Sequence, residues 1–144
     1  MLFAVQSAIA LVLSAVFIAL AVVHIAWGLG YKWGGINLLP QDLHGMPLFN
    51  PGAAACFATG LICMFPVAIF LARVGILVPD IPAWVPSVGV WGVAAVLLLR
   101  AIGDFRYAGL TKRIRMTEFA RRDTRFYTPF CIIVALLCVI IQLL

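Results

Sequence analysis

Four long apolar stretches divide the chain, with short polar segments between them. The first runs from about Leu2 to Gly28. At that length it crosses a hydrocarbon core of about 30 Å with some tilt. Gly28 and Gly30 loosen the helix end. The second, residues 53–77, follows Asn50-Pro51-Gly52, where Asn50 is a good N-cap and Pro51 suits the first helical position. The connection Val78–Pro86 holds three prolines and Asp80 and is expected to be a short turn. Ser87 can cap the third stretch, residues 88–108. Gly109–Thr128 is a basic connection, predicted to be partly helical and to lie on the membrane surface. Thr128-Pro129 repeats the cap-then-proline signal ahead of the fourth stretch, residues 129–144. Its sixteen residues span only about 24 Å, so this helix starts before Pro129 or ends at the far interface.

The pattern predicts an all-α fold: a four-helix transmembrane bundle forming a single domain over residues 1–144. Composition agrees. The chain is 65% hydrophobic and 10% charged, with a mean hydropathy of +1.16. A soluble domain of this size needs more charge to cover itself. No secretory signal peptide is expected, because Met1–Gln6 carries no Lys or Arg and the first run is too long for one.

The net charge of +5 belongs to topology rather than to nucleic acid. Lys32 lies between the first two spans. Lys112, Arg113, Arg115, Arg121, Arg122 and Arg125 lie between the last two, with Arg106 at the edge. The turn between spans two and three has no cation, and only Arg73 approaches it. The positive-inside rule then predicts two cytoplasmic loops with both termini outside. Expected partners are membrane lipids, with anionic headgroups along Lys112–Arg125, and either further copies of the chain or a larger membrane complex.

Polar groups inside spans are costly, which makes them the informative ones. His24 lies about one turn from the end of span one, with Trp27 at i+3 on the same face. Arg100 and Asp104 form an i,i+4 pair near the end of span three. The topology puts His24, Arg100 and Asp104 at one depth in one leaflet. Trp33, Asp42 and His44 from the first loop could join them, as could Glu118, Arg122, Asp123 and Tyr127 from the last. The plainer reading is that Arg100 and Asp104 neutralise each other for insertion and that His24 donates to a carbonyl. Cys56, Cys63, Cys131 and Cys138 all fall within spans, in pairs seven apart, and read as small buried hydrophobes. There is no HExxH, no Cys/His cluster, no activated serine and no phosphate loop, so no metal site is expected. No cofactor is assigned: His24 is the only histidine in a span, too few for a haem held across the bundle.

Four pieces carry a resemblance: HIAWGLGYKWG (His24–Gly34), NPG (Asn50–Gly52), LRAIGDFRYAGL (Leu99–Leu110) and TEFARRDTRFYTPFC (Thr117–Cys131). The chain resembles, along nearly its whole length, a family of short bacterial four-span membrane proteins classed as a domain of unknown function. The resemblance implies fold and topology and no activity. Its signature residues fall on His24, Trp27, Trp33, Arg100, Asp104, Phe119, Asp123, Tyr127 and Pro129.

The function expected is binding of a small anionic or amphipathic ligand, a lipid headgroup or quinone-like molecule, in a polar pocket at the cytoplasmic leaflet. Arg100 would be the anion contact and Asp104 its orienting partner. His24 would handle a proton and Trp27 would wall the pocket. Arg122 and Asp123 would close it, with Trp33 and Tyr127 among the candidates. Two further readings stand beside it: an accessory subunit of a larger complex, and an enzyme on a lipophilic substrate with His24 and Asp104 as acid and base.

Overall fold

The computed structural model describes residues 1–31, 38–77 and 80–144. Within them lie α1 (Leu2–Gly28), α2 (Ala53–Arg73), α3 (Trp84–Ile102), α4 (Glu118–Arg122), a π-helical turn (Asp123–Tyr127) and α5 (Thr128–Leu143). The last three run on as one rod. Four segments, Leu2–Gly28, Ala53–Arg73, Trp84–Ile102 and Glu118–Leu143, are long and apolar enough to cross a membrane. No strand occurs among the described residues; a single antiparallel bridge joins Gln41 to Pro47.

The helix ends differ from the sequence boundaries for local reasons. α2 stops at Arg73 because Gly75 turns to φ +71 and the Ile76 amide bonds back to the Leu71 carbonyl, a glycine-type helix stop. α3 begins at Trp84, since Pro86 lies in its first turn, where no amide proton is needed. It ends at Ile102, where Gly103 takes φ +97. The fourth span starts before Pro129. The Thr128 amide bonds to the Asp123 carbonyl, five residues back, and Pro129 has no N–H to offer the Arg125 carbonyl. The chain absorbs that missing bond as a π turn instead of breaking the helix.

α1 packs on α2 and α5, and α3 packs on α5 and α2. α1 and α3 therefore occupy one diagonal. Gln6, early in α1, donates to the Ile141 carbonyl late in α5 at 2.9 Å, which makes those helices antiparallel. The bundle thus has a terminal end, with Gln6, Arg73, Ser87 and Gln142, and a loop end, with His24, Arg100 and Asp123.

Leu13, Phe17, Phe70, Val90, Val134, Cys138 and Ile141 form the middle of the core. The Phe17 and Phe70 rings pack with centroids 5.8 Å apart. Large side chains such as Leu61, Ile62, Phe65, Val96 and Leu136 face outward, as expected where lipid is the solvent.

Small residues let helices approach at two places in the bundle. A Cβ at Gly60 would lie 2.9 Å from Ile25 Cγ1 and 3.2 Å from the Ala21 carbonyl, and one at Gly89 would lie 2.7 Å from Ile69 Cδ1. Gly92 meets nothing within 4 Å, and Ala53–Ala55 are exposed. Gly60→Val is expected to destabilise the bundle by about 1–3 kcal/mol. Gly92→Ala is expected to be neutral or to stabilise by up to about 1 kcal/mol. Thermal unfolding in detergent, followed by circular dichroism, separates the two.

Candidate functional site

The loop end is organised around one carboxylate. Asp123 is 0% exposed. Its Oδ1 accepts from Arg100 Nη2 at 2.7 Å. Its Oδ2 accepts from Lys112 Nζ at 2.8 Å, the Gly109 amide at 2.8 Å and Thr128 Oγ1 at 3.1 Å. Burying a carboxylate costs several kcal/mol, and pairing with hydrogen-bonded cations offsets that cost.

Local structure places each donor. Thr128 lies five residues after Asp123. That spacing would put the two on different faces of an α-helix, and the π turn brings them onto one. Gly109 belongs to a tight return after α3. Asp104 Oδ1 accepts the amides of Arg106, Tyr107 and Ala108 at 3.0, 2.7 and 2.9 Å. The chain then doubles back. The Leu110 and Thr111 amides bond to the Ala101 and Ile102 carbonyls, which would otherwise be orphans at the helix end. The return needs glycine at two positions. Gly103 and Gly109 sit at φ +97 and +81, and a Cβ at either would lie 1.9 Å from the Ala108 carbonyl oxygen or 2.4 Å from Gly103 Cα. Lys112, with its side chain 3% exposed, also donates to the Gly109 carbonyl at 2.9 Å.

The expected Arg100–Asp104 partnership is corrected here. Asp104 lies beyond α3, and its carboxylate holds backbone amides. Arg100 pairs with Asp123. His24 and Asp104 do not meet either: among the described residues His24 contacts the Leu20 carbonyl through Nδ1, at 2.7 Å, and the Trp27 ring, at 5.1 Å. A carbonyl only accepts, so Nδ1 carries a proton, and Nε2 has no hydrogen-bond partner among the described residues. α1 and α3 being diagonal, the shared depth of His24 and Arg100 does not become contact. Asp123, expected at the rim, is the centre. Arg122 is half-buried without an ion pair among the described residues. Tyr127 packs on Phe119, centroids 6.1 Å apart. Trp33 lies outside the described residues. Lys112, Gly109 and Thr128 were missed. Lys112 looked like one more topological cation, and Thr128 like a helix cap.

Two donors stay unanswered. Arg100 Nη1 and Trp27 Nε1 are buried with no hydrogen-bond acceptor among the described residues. Around the site the surface is cationic: between Arg100 and Arg125 eight Arg and Lys stand against three acids. No group of three or more His, Cys, Asp or Glu suits a metal ion among the described residues. All four cysteines are free, and Cys56, Cys131 and Cys138 are buried.

Asp123→Ala leaves two cations unpaired and is expected to cost about 3–5 kcal/mol. Adding Lys112→Met should recover part of it, read as non-additivity in thermal unfolding. Asp104 supplies a pH dependence. Burial pushes its carboxyl up, but the amides of Ala108, Arg106, Tyr107 and Asp104 itself outweigh burial and hold it below the ordinary range. A depressed folded-state value contributes stability above the unfolded value, about 3.9. That contribution is lost as pH falls through the folded value. Acid is therefore expected to loosen the Gly103–Gly109 return, seen as faster amide exchange at Arg106–Ala108 relative to Asp104→Ala controls.

Comparison with known proteins places the chain without naming an activity. No curated protein and no solved structure matches it. A family model described as "Protein of unknown function (DUF3995)" matches residues 17–138. That match takes in the second half of α1, all of α2 and α3, the whole Asp123 network and most of α5, and the chain belongs to the DUF3995 family.

Proposed function

We propose that the loop end binds the anionic group of an amphipathic molecule, an acidic lipid headgroup or a lipophilic acid, with Arg100 as the anion contact. The observation that supports this most is the buried, unanswered Nη1 of Arg100. Two cations share one carboxylate, so the network carries one surplus positive charge beside a low-dielectric medium. An uncompensated charge there is costly, and an anion that takes Nη1 removes the cost. The Arg100 side chain as a whole is 36% exposed, so the guanidinium lies near the surface, and an anion reaches the covered Nη1 by displacing the groups over it.

His24, Trp27, Arg122 and Tyr127 would line the approach, with Nε2 of His24 and the unanswered Nε1 of Trp27 as further polar contacts. The exposed arginines would gather anionic headgroups around it. By the positive-inside rule this end faces the cytoplasm of a bacterial inner membrane. Asp104 has no acid–base role in this reading, because its carboxylate is committed to the turn.

Delipidated protein titrated with phosphatidylglycerol and followed by native mass spectrometry tests the reading. Losing a charge-assisted contact should weaken one tight site about tenfold or more in Arg100→Gln. Arg113→Gln, an exposed control, should leave that site intact. Equal affinity in wild type and Arg100→Gln would sink the idea.

A further inference from the structure

The terminal end holds a second cation, fixed from three helices. Arg73 is the last residue of α2. Its Nε donates to Gln142 Oε1 of α5 at 2.9 Å, and Gln142 Nε2 donates to the Ser87 carbonyl of α3. Both bonds fit only one orientation of the amide, since Arg Nε must donate and the carbonyl must accept. Gln142 thereby sets the plane of the guanidinium. Nη1 and Nη2 meet no acceptor, and no carboxylate pairs with Arg73, among the described residues. Beside it opens a cleft of about 280 Å³ lined by Arg73, Gly75, Leu77, Ile81, Pro86 and Ser87. Trp84, 65% exposed at the start of α3, stands next to it in the sequence, as an interfacial aromatic would.

We propose that this cleft seats a phosphate monoanion, that of a phospholipid headgroup, on the free fork of Arg73. Two parallel N–H groups match two phosphate oxygens. The cation has its Nε neutral-bonded and its charge uncancelled, so an anion is the complement it lacks. Leu77, Ile81 and Pro86 make the rest of the cleft apolar, which suits the glycerol and upper acyl carbons and gives inorganic phosphate no contact beyond the fork. The site is at the opposite end of the bundle from Arg100 and is independent of that reading.

Native mass spectrometry of delipidated protein, titrated with phosphatidylglycerol, diacylglycerol or inorganic phosphate, tests it. Wild type should retain phosphatidylglycerol at a site that diacylglycerol does not fill and that millimolar inorganic phosphate does not displace. Arg73→Gln should weaken that site about tenfold or more, and Arg73→Lys, which keeps charge but not the fork, by less. Gln142→Leu should fall between wild type and Arg73→Gln, while Arg100→Gln leaves the site unchanged. Should Arg73→Gln not fold, a photo-crosslinking residue at Ala83 in the otherwise native chain reads occupancy directly, and a phospholipid adduct is expected. Unchanged affinity in Arg73→Gln, or no adduct at Ala83, overturns the proposal. Displacement by inorganic phosphate overturns the lipid assignment.

Discussion

A carboxylate sealed from solvent beside a hydrocarbon medium must be paired, and Asp123 imposes that requirement on the whole loop end. It draws Arg100 from α3, Lys112 and Gly109 from the return after α3, and Thr128 from its own rod. The third and fourth spans are joined by a long connection, and this network is what pins its first half against the helix pair. Removing the carboxylate would not merely delete a bond; it would leave two cations facing each other in an apolar setting.

The backbone features of the region serve the same end. The π turn puts Thr128 over Asp123. The glycine pair at 103 and 109 turns the chain tightly enough for an amide to reach Oδ2. Asp104, by holding three amides, stabilises the turn that delivers Gly109 and Lys112. In place of the expected Arg100–Asp104 pair stand two carboxylates with separate duties, Asp104 building the loop and Asp123 anchoring it to the bundle.

The ion pairs and the side-chain bonds between helices lie at the two ends among the described residues, and α5 connects them. Its first residue, Thr128, belongs to the Asp123 network. Its last turn offers the Ile141 carbonyl to Gln6 and the Gln142 amide to Arg73 and Ser87. Between these ends the core is apolar and the outer face is too. A bundle built this way holds two arginines with N–H groups that meet no acceptor among the described residues, Arg100 at one end and Arg73 at the other. That placement is why both readings of function point to anionic amphiphiles rather than to a soluble substrate.

Sequence alone determined the architecture, because apolar length is a local property that a bilayer reads directly: four runs long enough to cross became four crossing helices. It also placed His24, Arg100 and Asp104 at one end, since depth follows from counting along a helix, and offered Asp123 only as a loop residue that could join them. It did not determine partnership. Arg100 and Asp104 are neighbours by spacing only if the helix continues, and Gly103 ends it. Lys112 resembles any loop cation until the chain folds back, and Thr128 resembles a cap until Pro129 forces a π turn. Those pairings depend on where a turn reverses and which faces two helices present, and a carboxylate takes its partner from whatever donor the fold brings within 3 Å or so. That choice was made by the tertiary structure.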